Sequence, residues 1–269
     1  MTSTTRAKPN KGKPVEKIVG AERVLTVLKE LADHAEGISL DELTMALKAS
    51  KSTVHRALAT ILKSGLATKT ARGNYILGDE FLRIANNFQA SRPAGRQFEP
   101  LLRELATQFG ETTHYAVLDG AEVVYRVKVD APKGSVKLTS VIGGRNPATC
   151  TAVGKILLSY QLNSLKELNE WLGPEKLVKR TKKSIASPMK LFEELRASRS
   201  RGYGIDDEEN EVGVNCIAFP VFIGDATTPI GAVSISGLAF RTPLENLLDS
   251  QSDIKRILVK HLARISGEE

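Results

Sequence analysis

The chain has 269 residues, 41% hydrophobic and 26% charged, with two cysteines and a formal net charge of +7. No apolar run approaches the ~20 residues that span a bilayer, and two cysteines cannot build a disulfide framework or a zinc cluster, so a membrane-spanning helix and small stapled scaffolds are excluded. The charge is uneven: up to Gly78 there are 13 Lys and Arg against 7 Asp and Glu, an excess of +6, and beyond it 25 against 24 leave +1. A basic small segment joined to a neutral larger one suggests a polyanion partner for the former alone.

Residues 1–16 are basic and polar without the apolar segment of a signal peptide, and are expected to form a disordered arm on a cytosolic protein. From 17 to 34, Ile18, Ala21, Val24, Leu25, Leu28, Leu31 and Ala32 fall on one helical stripe that Glu36-Gly37 ends. SLDELTMALK follows, in which Ser39 and Glu42 form an S-x-x-E capping box for a short helix with Leu43, Ala46 and Leu47 inward. SKSTVHRALATIL, residues 50–62, then places Val54, Ala57, Leu58, Ile61 and Leu62 on a core-facing stripe. Its other face crowds Ser50, Lys51, Ser52, Thr53, His55 and Arg56 into two turns without one carboxylate. Two short helices across a tight turn, the second carrying the donors, make a helix-turn-helix. LATKTARGNYIL, 66–77, reads as a hairpin with Lys69 and Arg72 near its tip, which adds the wing.

Phe81, Leu82, Ile84, Ala85 and Phe88 mark a linker helix, and SRPAGRQ supplies a hinge. The expected organisation is an arm at 1–16, a winged helix-turn-helix at 17–78, a linker helix and hinge at 79–95, and a larger domain at 96–269. That domain opens with the helix FEPLLRELATQFG, followed by strand-like runs at THYAVLD, EVVYRVKVD and VKLTSVI, with a hairpin signal at Asp119-Gly120 that argues an antiparallel sheet. Helices are expected at TAVGKILLSY, NSLKELNEWLG and SPMKLFEELRASRS, strands at VNCIAFPVFI and IGAVSISG, and a C-terminal helix behind a Thr242 to Glu245 capping box with Pro243 at its first position. The fold class is α+β.

Hydroxyls and free N–H groups at a helix start bind phosphate, and Arg56 one turn in can reach a guanine edge, so 50–56 points to duplex DNA. His55 is assigned no specific role. His34, His114 and His261 lack metal-ligand spacing, and neither a G-x-S-x-G nor a phosphate-loop motif is present, so no metal, cofactor or catalytic group is expected. The run Asp206-Asp207-Glu208-Glu209 reads mostly as a solvated loop. GGRNPATCTAVGK, 143–155, is a turn-rich loop entering a helix whose small first residues, Thr151 to Val153, suit either a carboxylate seat or a tightly packed helix start.

Taken in order, STVHRALATILKSGL with YILG, GGRNPATCTAVGKILL, RGYGIDDEENEVGVNCIAFPVF and AVSISG resemble the IclR family of bacterial transcriptional regulators from about Lys17 to Ile265. The resemblance implies a winged helix-turn-helix, a linker helix, and an effector domain with a curved antiparallel sheet flanked by helices. It further implies a palindromic operator, homodimers or dimers of dimers, and a small organic acid as effector. The family's effector pocket would correspond here to Ala152, Val153, Gly154, Asp206, Val214, Cys216, Ser234 and Ser236, with Val136 or Leu138 as wall residues. The sequence departs from the family at Ala49, where the helix-helix turn often has Gly, and in the variable segment 226–228.

The expected function is a cytoplasmic DNA-binding regulator, repressor or activator, whose operator affinity a keto acid, hydroxy acid or hydroxybenzoate modulates. Its rivals are an enzyme with an incidental basic arm and a DNA binder that answers to no ligand.

Overall fold

The computed structural model describes residues 20–90, 96–132, 138–174 and 177–266. Contacts divide the chain into two units, Met1–Arg92 and Pro93–Glu269. The expected arm, Ile18, most of the hinge and Val136 lie outside the described residues.

In the N-terminal unit, helix α1 spans Gly20–Ala32, α2 Leu40–Ala46 and α3 Lys51–Lys63. The stripe of α1 that enters the core is Val24, Val27, Leu28 and Leu31. Ala21, Leu25 and Ala32, expected inward, face out, because the helical phase that buries Leu31 also buries Val27, four residues earlier. The Ser39–Glu42 capping box forms in full at the start of α2. Leu43 is buried there, whereas Ala46 is exposed. In the turn to α3 the left-handed residue is Lys48, at φ 48°, and Ala49 stays outside that region, so the turn closes without glycine at position 49. Val54, Ala57, Leu58 and Ile61 of α3 complete the core. Strands β1 (Ala67–Lys69) and β2 (Tyr75–Leu77) pair antiparallel, Lys69 opposite Tyr75. Gly73 takes φ +87° in their turn, a conformation glycine adopts without steric cost. Helix α4 follows at Asp79–Ala90.

The second unit is built on a six-stranded antiparallel sheet, curled, in the order β5-β4-β3-β8-β7-β6. Its strands are β3 Thr112–Asp119, β4 Glu122–Val129, β5 Arg145–Pro147, β6 Gly204–Asp207, β7 Val214–Val221 and β8 Gly231–Leu238. The helices are α5 Glu99–Phe109, α6 Ala152–Gln161, α7 Leu165–Leu172, α8 Pro188–Arg201, α9 Leu244–Asp249 and α10 Gln251–Ser266. Alternation sorts the strand residues between two faces. Tyr115, Ile217, Phe219, Val233 and Ile235 pack against α5 and α10. Ala116, Ala218 and Ala232, on the opposite face, let α6 come close, with α7 and α8 outside it.

Four expectations are corrected here. The described part of VKLTSVI, 138–142, is not a strand, and the third partner in that half of the sheet is Arg145–Pro147, from the segment read as a loop. The acidic run opens as strand β6, paired with β7. The Thr242–Glu245 capping box does not form: α9 begins at Leu244 with Pro243 as its N-cap, so Thr242 stands one residue too early, and its hydroxyl donates to Glu111, a buried carboxylate that Arg241 also binds. The C-terminal helix is two helices, α9 and α10.

Close approach of α6 to the sheet rests on Gly204, where a Cβ would stand 2.2 Å from the Ala152 carbonyl oxygen. Gly204→Ala is therefore expected to destabilise the second unit by about 1–3 kcal/mol, seen as a lower midpoint in thermal unfolding. An unchanged midpoint would contradict this packing.

Candidate functional site

Two constellations emerge, one in each unit. On α3, Ser50 is the N-cap: its oxygen accepts from the Thr53 N–H at 3.3 Å and its hydroxyl donates to Thr53 Oγ1 at 2.9 Å. Ser50 and Thr53 thus organise the helix start. Lys51, Ser52, His55 and Arg56 project from it, all exposed, and line a shallow groove with Leu40 of α2. Lys51 meets Asp41 of α2 at 2.6 Å, so the helix that lacks its own carboxylates borrows one from its neighbour. On the hairpin, Lys69 lies over the Tyr75 ring at 5.4 Å and Arg72 is exposed in the turn. Groove and hairpin carry cations and hydroxyls of the kind that meet a phosphate backbone.

In the second unit a cavity of about 210 Å³ opens where the sheet face under α6 turns from alanine to polar side chains. Strand register explains the change. One cross-strand row runs Asp206, Cys216, Ser236, and the next runs Ala218, Ser234, His114. All of these except Ala218 line the cavity, as do Val214 and, from the opposite wall, Leu138, Ala152 and Val153. Thr151 caps α6, its hydroxyl oxygen accepting from the Gly154 N–H at 3.0 Å. The N–H groups of Ala152 and Val153, in the first turn, have no acceptor within the helix. Gly154 does not line the cavity: a Cβ there would meet the Ala148 carbonyl oxygen at 2.1 Å, so it serves the tight packing of the helix start.

The acidic run divides by side. Asp207 and Glu208 point outward and share Lys183, at 2.9 and 2.7 Å. Asp206 points inward, 3% exposed, with Oδ1 accepting from the N–H groups of Glu209 at 2.7 Å and Asn210 at 3.3 Å. Burial pushes its carboxyl up to about 7, against the pull of Lys155. Opposite it, His114 is held between Ser140 Oγ, 2.8 Å from Nε2, and Ser234 Oγ, 3.5 Å from Nδ1, with its ring against Tyr125. Burial, reinforced by Lys128, pushes the imidazole down to about 3, so His114 is neutral at physiological pH.

A model of the IclR helix-turn-helix domain matches residues 20–71, and a model of the bacterial transcriptional regulator IclR C-terminal matches 91–259. The chain belongs to the IclR family. It is 30% identical over 240 residues to the HTH-type transcriptional regulator XynR of Escherichia coli, covering 89% of this chain and 94% of that one. It is 28% identical to the Pca regulon regulatory protein of Pseudomonas putida, covering 83% and 76%. Among solved structures, the Thermotoga maritima IclR superposes with a TM-score of 0.72 at 26% identity, covering 92% of this chain and 97% of that one. The inducer-binding domain of PobR from Acinetobacter, a double mutant with 3-hydroxybenzoic acid, does so at 0.56 and 26%, covering 64% and 97%. The protein is thus an IclR-family transcriptional regulator with a helix-turn-helix DNA-binding domain and a C-terminal effector domain.

Within that effector domain, the sequence reading missed cavity residues from three places: His114 and Tyr125 on β3 and β4, Ser140 and Asn146 before and within β5, and Arg180 and Glu211 in loops. In sequence His114 has no metal-ligand partner. The available signal was its alternation with Tyr115, which marks one residue for each face of a strand.

Proposed function

We propose that this IclR-family regulator binds a palindromic DNA operator as a homodimer or dimer of dimers, and that a small organic acid in the C-terminal cavity modulates its operator affinity. The DNA contacts are assigned to Lys51, Ser52, His55 and Arg56, with Ser50 and Thr53 shaping the helix start and Lys69 and Arg72 flanking it on the wing. The observation that carries the effector assignment is the meeting, in one cavity, of the α6 N-terminus at Ala152 and Val153 with the hydroxyls of Ser234 and Ser236. Helix-terminal N–H groups and hydroxyl donors favour a carboxylate. A cavity of about 210 Å³ falls below the ~300–1,000 Å³ of drug-sized pockets and suits a small acid.

The relatives are regulators, and the cavity groups are suited to holding a ligand, so the chain is read as a cytoplasmic non-enzyme without a membrane partner. A hydroxy acid, a hydrated keto acid or a hydroxybenzoate answers both the anion seat and Asp206, which can bond a ligand hydroxyl. PobR's complex with 3-hydroxybenzoic acid gives the aromatic option a precedent in a relative. Calorimetry over aliphatic keto acids, hydroxy acids and hydroxybenzoates, each paired with its neutral amide, tests the reading. Acids are expected to bind and amides to fail; amides that bind equally well would remove the anion seat.

A further inference from the structure

Lys155 is fully buried, and its ammonium group contacts Oε1 of Glu209, whose side chain is 9% exposed. Burying an ion pair costs more than it returns unless the remaining polar atoms are also bonded. Here Oε2 of Glu209 is buried and has no partner among the described residues. The pair ties α6 to the turn after β6. Glu208 sits at φ 55°, a left-handed conformation unusual outside glycine, and the chain bends back so that the Glu209 N–H reaches Asp206 Oδ1. Ser184 secures the same turn by donating to the Glu209 carbonyl oxygen at 2.6 Å. Lys155 lies on α6, one turn beyond Ala152, so a single helix carries the N–H groups at the cavity and the cation that anchors the facing turn.

We propose that the buried Lys155–Glu209 pair is the positioning element of the effector site: it fixes the Asp206 carboxyl in the cavity wall, and its ammonium is the fixed positive charge behind that wall. The inference rests on the reading of the cavity as the effector site and assigns a role to a residue that does not line it. The groups acting electrostatically on or with Asp206 are Lys155 from α6, Glu209 on its own turn, Cys216 from β7, Tyr125 from β4 and Cys150 before α6. Burial drives Tyr125 up to about 12 and both thiols upward, so these three are neutral at physiological pH. Lys155 is the cation of that set. Without it, Asp206 and Glu209 would lose their buried cation, leaving Arg145 and Arg180 as the cations that line the cavity.

The test needs no ligand. Side-chain 13C NMR of the full chain follows the titration of Asp206, its resonance assigned by its loss in Asp206→Asn. Lys155→Met is expected to raise the Asp206 midpoint by about one unit or more, and Glu209→Gln to lower it, because Asp206 then becomes the nearest counter-ion of the ammonium. Should Lys155→Met fail to fold, the double variant Lys155→Met/Glu209→Leu replaces the pair by apolar groups. Its midpoint is expected above that of the wild type, since Lys155 acts on Asp206 more strongly than the Glu209 charge does. A merely structural pair would leave the midpoint unmoved, or move it the same way in both single variants, and either result overturns the proposal. Failure of every acid in the calorimetric panel would remove the effector reading while leaving these opposite shifts in place. An unmoved midpoint with acid binding retained removes the proposal alone.

Discussion

Arg56→Ala is expected to weaken operator binding by about 1–3 kcal/mol, roughly five- to 150-fold, and to flatten the preference among sequences. Arg56 stands exposed one turn into α3, beside Ser52 and His55 in the groove. A guanidinium there can bond a guanine edge through two parallel N–H groups, and losing it leaves that base unread. Lys51 supplies the contrast. Its pair with Asp41 is exposed on both sides, 62% and 71%, so it contributes little to the free protein and leaves the ammonium available to a phosphate. Lys51→Ala should therefore weaken all sequences alike and reduce the slope of log affinity against log salt by about one unit. Fluorescence anisotropy on matched and base-substituted duplexes over a salt series separates the two. Equal, sequence-independent losses from both variants would overturn the assignment of Arg56.

The second large effect is a pH dependence of effector binding set by Asp206. Its carboxyl stands at about 7 in the free protein because burial disfavours the charge. A bound carboxylate nearby disfavours that charge further and raises the value in the complex. Below about pH 7 Asp206 is protonated before and after binding, so affinity is flat. Above it, binding must take up a proton, and affinity is expected to fall about tenfold per pH unit until the value in the complex is reached. The ligand carboxylate is ionised throughout this window, and His114, held near 3, is neutral on both sides of it. The same group makes folding less favourable as pH rises from about 4 toward 7, because the native state holds its proton over that interval and the unfolded chain does not. Asp206→Asn keeps an acceptor for the Glu209 and Asn210 N–H groups and is expected to abolish the pH dependence of binding. Calorimetry from pH 6 to 9 in buffers of different ionisation heat gives both the affinity and the proton count. A pH-independent wild-type affinity would show that Asp206 does not face the bound anion.

What could be read from sequence follows the range of the interactions involved. The Ser39–Glu42 box and the stripe of α3 are local, and both were legible, as was the hairpin around Gly73. Leu25 was misplaced because an apolar residue at the edge of a helical stripe has no local marker of which side of the edge it takes. Strand β5 was missed since Arg145-Asn146-Pro147 is too short and too polar to show a period, and it is a strand only because β4 pairs with it. The capping box at Thr242 fails because the helix starts one residue later, at Leu244, while the Thr242 hydroxyl is drawn to a buried carboxylate 131 positions away, Glu111. The cavity was half legible. Its small residues sit in motifs that resemble the family's, whereas His114 and Tyr125 join it through the pairing of β3 with β8 and β4, information carried by register.

Ligand control of DNA binding is tested most directly by one titration: operator affinity of the full chain, measured by anisotropy on a duplex selected from random-sequence DNA, against rising concentrations of the acid that binds best in the calorimetric panel. The acid is expected to shift the affinity of the wild type and to leave that of Ser234→Ala/Ser236→Ala unchanged at the same concentrations, each hydrogen bond to the charged group being worth about 1.5–3 kcal/mol. An operator affinity indifferent to every acid that binds the cavity, or one shifted equally in the double variant, would contradict it.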